Sequence, residues 1–185
     1  FLGGLSGGVI GGIAYIKWKR VPLLPMGDIG LPFLPLGHSI ARLGCFFNGC
    51  CWGYPTDAPT AVAFPKFSLA WRDHADHGWI ERSAAHSLPV HPTQLYESFG
   101  LFCIFLIMRY AYKHKKYDGS VMFLYPLLYG ILRFIDESFR GDSVRSVMGM
   151  TVSQTVALGL FLSAALFYVV MFQTVWRAPV ARAPR

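Results

Sequence analysis

The apolar residues of this chain come in long blocks broken by short charged stretches, and that arrangement limits its possible folds more than any other feature. Of 185 residues, 54% are apolar and only 15% are charged. The mean hydropathy is positive, +0.40. A soluble domain usually carries about 25% charge, so this chain lacks the polar surface of a soluble enzyme. It is also far too apolar to be disordered. Blocks of this kind suit membrane spans of roughly 20 residues, and the length accommodates four or five of them plus one loop region. Seventeen Lys and Arg against ten Asp and Glu give a net charge of +7. In a membrane protein that excess belongs to loops facing anionic lipid, and no nucleic-acid partner is expected. The sequence opens at Phe1 inside a Gly-rich apolar stretch, with no Met and no charged n-region, so we expect further chain before it.

Residues 1–16 are apolar and end at Lys17, Lys19 and Arg20. Their glycines fall in two rows, 3, 7, 11 and 4, 8, 12, a spacing that lets helix backbones approach closely in lipid. Residues 21–37 hold Pro22, Pro25, Pro32 and Pro35, so this stretch is expected to be irregular, with a proper helix only from about Leu36 to Asn48. Residues 52–90 are polar, aromatic and rich in turns, and read as an extramembrane loop subdomain with a short strand pair. Further spans are expected over 92–110, 120–136 and 151–176. The fold class is therefore an all-α integral membrane protein of about five transmembrane helices, one membrane domain over 1–185 with the 52–90 subdomain inserted. Lys17, Lys19, Arg20, Arg109, Lys113, Lys115, Lys116, Arg177, Arg182 and Arg185 all fall on one side if the spans alternate. The positive-inside rule makes that side cytoplasmic and places the 52–90 loop outside, in the periplasm or its equivalent.

Three constellations could carry chemistry. In GHSIARLGCFFNGCCWG, residues 37–53, His38, Arg42 and Cys45 share one helix face. Arg42 either snorkels to the interface or grips the phosphate of a lipid headgroup, which a guanidinium fork matches. In HPTQLYES, residues 91–98, His91, Gln94 and Glu97 are successive i,i+3 neighbours where a span begins. His91 could act as base, acid or ligand, or the group could simply cap and anchor the helix. In YPLLYGILRFIDESFRGD, residues 125–142, Tyr125, Tyr129, Arg133 and Glu137 repeat every four residues, and Arg140 lies seven beyond Arg133. This places a second arginine, with acid and phenol neighbours, at the outer edge of a span; a structural ion pair would look the same.

Cys45, Cys50 and Cys51 fall within seven residues, and Cys103 lies within a span. The Asn48-Gly49 turn could close a disulfide between Cys45 and Cys50 or Cys51 on an oxidising face. Free thiols are equally compatible with the pattern. Three cysteines with His38 make a ligand set by type, but C-x4-CC is not a zinc-knuckle spacing, so no metal is assigned. Asp73, His74, Asp76 and His77 are expected to be solvated surface.

These motifs resemble the prolipoprotein diacylglyceryl transferase family, whose signature reads roughly G-R-x-G-N-F-x-N-x-E-x-x-G. The corresponding stretch here is Ala41-Arg42-Leu43-Gly44-Cys45-Phe46-Phe47-Asn48-Gly49-Cys50-Cys51-Trp52-Gly53. HPTQLYE and RFIDESFR match later motifs closely, and the likeness runs from about Leu5 to Asp142. Three positions usually linked to activity in the family are changed. Cys45 stands for the first signature asparagine, Cys50 for its glutamate, and Ser6 for a histidine of an upstream His-Gly-Gly motif.

The resemblance implies seven spans in the family, of which this chain would lack about two. It implies transfer of a diacylglyceryl group from phosphatidylglycerol to the lipobox cysteine of prolipoproteins, at the periplasmic side of the bacterial inner membrane. The expected partners are phosphatidylglycerol, prolipoprotein signal peptides and membrane lipid, with no cofactor. Arg42, His91, Arg133 and Glu137 would be catalytic. His38, Cys45, Asn48, Gly53, Gln94, Tyr96, Tyr129 and Arg140 would bind substrate. The alternative is a membrane protein of the same fold that uses Cys45, Cys50 and Cys51 for thiol redox or metal chemistry.

Overall fold

A computed structural model describes residues 2–141, 145–147 and 149–176. Seven α-helices dominate it: α1 Leu2–Trp18, α2 Leu23–Gly30, α3 Phe33–Asn48, α4 Leu69–Asp76, α5 Thr93–His114, α6 Leu124–Glu137 and α7 Val152–Met171. An antiparallel pair, β1 Arg145–Val147 and β2 Met150–Thr151, joins α6 to α7. Two helices, Thr93–His114 and Val152–Thr174, are long and apolar enough to cross a membrane. The other anticipated spans form helices of 17, 16 and 14 residues: α1, α3 and α6.

The prolines start helices instead of breaking them. Pro25, Pro35 and Pro126 each occupy the third position of a helix, α2, α3 and α6 respectively. First-turn N–H groups have no intrahelical acceptor, so a proline there forfeits no bond. For this reason α3 begins at Phe33 rather than at Leu36, and residues 23–30 are helical instead of irregular.

Helices α3, α5, α6 and α7 pack in sequence, α3 on α5, α5 on α6 and α6 on α7. Small residues set the close approaches. Ser39 Oγ donates to the Ser98 carbonyl at 2.8 Å, and Ser98 Oγ returns a bond to the Ser39 carbonyl at 3.0 Å, which locks α3 to α5. Gly130 lies where α6 crosses α7; a Cβ there would stand 3.0 Å from the Ala157 carbonyl. By contrast, nothing lies within 4 Å of a Cβ built on Gly7, Gly8, Gly11 or Gly12, so the close approach anticipated for the α1 rows is not made among the described residues.

The burial pattern departs from that of a water-soluble protein at several positions. Glu97 is 1% exposed and Asp136 4%, while Phe47 is 86% and Phe99 71% exposed. A chain solvated by hydrocarbon has to satisfy its polar groups internally and can leave apolar ones outside.

At one end of the bundle, Asp28 of α2 is fully buried. It accepts from the backbone N–H groups of Gly119, Val121 and Met122 at 2.8, 3.1 and 2.8 Å, and from Lys115 Nζ at 2.8 Å. One carboxylate thus ties α2 to the α5–α6 connection. Lys115 Nζ gains more from Asp28 and Asp118 than burial costs it, so its pKa is raised.

At the opposite end lies the segment between α3 and α5. Trp52, Phe64, Ala70 and Val90 form a small core, with Phe46 of α3 against it. The expected strand pair is absent; isolated bridges Pro55–Val90, Val62–Val90 and Pro65–His86 hold the segment instead. It also contains α4, which the sequence reading missed. Ser68 Oγ caps α4 by accepting from Trp71 N at 3.2 Å, and Trp71 Nε1 donates to the Ala84 carbonyl at 2.9 Å. His74, expected at the surface, is fully buried beside Trp52 and Trp79. Leu88 N donates to its Nδ1 at 3.2 Å, and burial lowers its pKa, so the ring is neutral.

Candidate functional site

Glu97 of α5 is the hub of a buried charge cluster that draws on α3, α5 and α6. Arg42 Nη2 of α3 donates to Glu97 Oε1 at 2.9 Å. Arg133 Nη1 of α6 donates to Glu97 Oε2 at 3.2 Å. The two arginines, which the sequence placed on separate helices, therefore grip the two oxygens of one carboxylate. Arg133 is held further by Asp136 Oδ2 at 3.4 Å, Glu137 Oε2 at 2.6 Å and Ser153 Oγ of α7 at 3.3 Å. Arg140 Nε approaches Glu137 Oε2 at 3.8 Å. His38 Nε2 stands 3.8 Å from Glu97 Oε1, and its ring lies 5.4 Å from that of Tyr129. Tyr129 in turn stacks on Tyr125 at 5.5 Å, so the four-residue stripe of α6 faces α3. Arg42 Nε is buried with no hydrogen-bond partner among the described residues.

Arg42, Arg133, Glu137, Arg140, His38 and Tyr129 are thus brought together. Three guanidiniums face three carboxylates, Glu97, Asp136 and Glu137. Charges this buried persist only when paired and hydrogen-bonded. Sequence reasoning listed Glu97 only as a neighbour of His91 and Gln94, and missed Asp136 and Ser153 altogether. Glu97 lies 55 residues from Arg42 and 36 from Arg133, so no local spacing signals its role.

A second group lies beside this centre. His91 Nδ1 lies 3.3 Å from the Tyr96 hydroxyl, and its ring packs against Phe139 at 5.5 Å. Tyr96 also bonds the Thr60 hydroxyl at 2.9 Å. Among the described residues no hydrogen bond or ion pair links His91 to the arginines. Gly53 joins the two groups through backbone. Gly53 N donates to the His91 carbonyl at 2.9 Å, and the residue bridges Arg140. A Cβ on Gly53 would stand 2.6 Å from His91 Cβ and 2.7 Å from the Phe139 carbonyl, so no larger residue fits without displacing one of them.

The third group is the cysteines. Gly49 ends α3 with φ 66°, and Cys51 follows with φ 62°, so the chain doubles back over the helix end. The sulfurs of Cys45, Cys50 and Cys51 consequently lie within 4.8 Å of one another. All four cysteines are free thiols, so the disulfide brace is not formed. Burial, opposed by an Asn48 hydrogen bond, pushes the Cys50 thiol up to about 11, so it is protonated at neutral pH. The buried side chains of α5 clamp this turn: Gln94 Nε2 donates to the Cys50 carbonyl at 2.6 Å and Thr93 Oγ1 to the Cys51 carbonyl at 2.7 Å. Gln94 therefore has a structural partner, and Asn48 is exposed on the last turn of α3.

Comparison with known proteins gives a consistent picture. The family model for prolipoprotein diacylglyceryl transferase matches residues 1–170. A Finegoldia magna protein named phosphatidylglycerol–prolipoprotein diacylglyceryl transferase is 34% identical over 168 residues, covering 90% of this chain and 59% of its own length. A Clostridium tetani protein of the same name is 33% identical over 165 residues, 86% of this chain and 60% of its own. One from Clostridioides difficile is 37% identical over 142 residues, 77% of this chain and 49% of its own. The chain thus spans about half to three fifths of the length of these relatives.

Proposed function

Because the chain belongs to the prolipoprotein diacylglyceryl transferase family, we propose that it carries the site at which a diacylglyceryl group passes from phosphatidylglycerol to the thiol of a prolipoprotein's lipobox cysteine. The observation that carries this reading is the convergence of Arg42 and Arg133 on one buried carboxylate.

The reaction breaks a glyceryl C–O bond to phosphate and forms a C–S bond. Glycerol phosphate leaves with the electron pair, so negative charge grows on phosphate oxygen as the thioether forms. Pre-oriented guanidiniums in a low-dielectric site stabilise such charge without reorganising. The two arginines are not equivalent. Arg133 spends its donors on Glu97, Asp136, Glu137 and Ser153, whereas Arg42 keeps a buried, unpaired Nε–H. Arg42 is therefore assigned as the direct phosphate ligand. Arg133 supplies positive field and is held in place by Glu137, with Arg140 completing the row.

The attacking thiol has to lose a proton. His91 is assigned as its acceptor, with Tyr96 against its Nδ1. Gly53 sets the spacing between the His91 backbone and Arg140. His38 and Tyr129 line the arginine side. Gln94 shapes the rim through Cys50, and Asn48 and Cys45 lie at the end of α3.

The same reading gives a multi-pass protein of the bacterial inner membrane, with α1, α3, α5, α6 and α7 as five membrane segments of a single domain. The 52–90 subdomain would face the periplasm, and phosphatidylglycerol and prolipoprotein signal peptides would be the partners. The basic residues support this orientation: Lys115 bonds Asp28, Lys113 lies in the last turn of α5 and Lys116 follows it, at the end of α5 away from the subdomain. Arg109 lies over the Phe33 ring at the start of α3, and Lys17, Lys19 and Arg20 sit where α1 ends, just before α2. Arg177, Arg182 and Arg185, used in the same argument, lie outside the described residues.

The test is complementation. The full-length protein should restore growth and lipoprotein lipidation to a bacterium depleted of its transferase. Lipoproteins that stay unmodified despite normal membrane insertion would refute the proposal.

A further inference from the structure

We propose that Cys45, Cys50 and Cys51 form a three-sulfur binding site for one thiophilic d10 cation, of the class of Zn(II) or Cu(I). Three observations carry it. First, the three sulfurs lie within 4.8 Å of one another. Three thiolates around an ion with metal–sulfur distances of about 2.3 Å sit roughly 3.8 Å apart, so only side-chain rotation of about 1 Å is needed to close the site. Second, the backbone that carries them is fixed. Cys50 N donates to the Cys45 carbonyl at 3.2 Å, and the carbonyls of Cys50 and Cys51 are held by Gln94 at 2.6 Å and Thr93 at 2.7 Å. Gln94 and Thr93 are each 1% exposed, so these clamps are shielded from water. Third, Cys51 holds a left-handed backbone, φ 62°, which only glycine adopts without strain. That turn, together with the one at Gly49, carries the third sulfur back toward Cys45.

The ligand class follows from the donors. Three sulfurs with no carboxylate or imidazole in the group select soft ions over Mg(II) or Ca(II). Three protein donors fit a trigonal ion, or a tetrahedral one with an open fourth position. Each thiol gives its proton to solvent as its sulfur takes up the ion. The site stands about one helical turn of α5 from the arginine centre, because Gln94 holds Cys50 and Glu97 holds Arg42. It borders that centre, with Cys51 in electrostatic reach of Arg42, but its ligands are different residues and its test needs no transfer activity.

The full-length protein, reduced and stripped of metal in detergent, is titrated with Cd(II), a d10 probe whose thiolate complexes absorb in the ultraviolet. The expected result is a charge-transfer band that saturates at one Cd(II) per chain. Cys103→Ser should keep it, and Cys45→Ser, Cys50→Ser and Cys51→Ser should each weaken binding at least about tenfold. Should a serine variant fail to fold, alkylation of the unmutated protein gives the same answer by peptide mass. Bound Cd(II) should protect Cys45, Cys50 and Cys51 from a maleimide and leave the labelling of Cys103 unchanged. A reduced protein with no saturable band, a band that survives all three substitutions, or protection that spares any of the three cysteines overturns the proposal.

Discussion

Glu97 shows how much one side chain decides here. It offers one oxygen to Arg42 and the other to Arg133, and it is 1% exposed. Glu97→Gln would leave Arg42 buried without its carboxylate partner, while Arg133 keeps Asp136 and Glu137. Breaking a buried pair in this way costs about 3–5 kcal/mol, so the variant should unfold at lower temperature as well as lose activity. Arg42→Lys separates function from stability. A lysine keeps the charge and can still reach Glu97, but it replaces a planar fork with a single point. Transfer activity should fall at least about a hundredfold while thermal unfolding shifts little, the size of effect seen when one oriented donor is removed from a charge-stabilising site. Activity within about threefold of the parent would show that Arg42 only pairs with Glu97. The measurement is a paired activity and thermal-melt series on the two variants. The residue scale is also where the sequence was most legible and least complete. Arg42, Arg133 and Glu137 stood out because charges within apolar segments are costly and because i,i+4 spacing marks a shared face. Glu97 and Ser153 did not stand out, since their partners arrive from other helices and tertiary packing leaves no local signature.

At the scale of elements, buried polar contacts tie one element to the next beside the apolar core of Ile104, Met108 and Val121. Asp28 is the plainest case, one carboxylate serving three backbone N–H groups and Lys115. Asp28→Ala strands those donors in a buried site. Unsatisfied backbone groups cost about 1–3 kcal/mol each, so the change should exceed about 4 kcal/mol and free the α5–α6 connection. Limited proteolysis should then cut near 115–122, where the parent resists; unchanged protection would mean that Asp28 is not the fastener. Which elements the sequence revealed follows the same physics. Long apolar runs made α5 and α7 plain. The start of α3 was misplaced because prolines were weighed as breakers, although in the first turn they cost nothing. Helix α4 was hidden, being only eight residues long and held by its Ser68 cap and the burial of Trp71 and His74. The strand pair expected in 52–90 failed to form because the segment pairs through single bridges to Val90 and His86 around a small aromatic core.

For the whole molecule, the proposed topology is the frame on which the site depends. The Asp28–Lys115 contact and the Gly53–Arg140 bridge mark opposite ends of the bundle. If the basic end is cytoplasmic, alkaline phosphatase fused after Gly78 should be active and a fusion after Lys116 inactive. The reverse result would turn the arginine centre toward the cytoplasm. In the proposed reaction the buried arginine centre accepts the phosphate of phosphatidylglycerol while a thiol displaces it. This step is tested most directly by reconstituting the full-length protein in vesicles containing phosphatidylglycerol, adding a lipobox peptide and measuring released glycerol phosphate against thioether-linked peptide by mass. One glycerol phosphate per modified peptide is expected, with both signals lost together in Arg42→Lys. Peptide left unmodified by a folded, correctly inserted protein, or equal yields from Arg42→Lys, would contradict it.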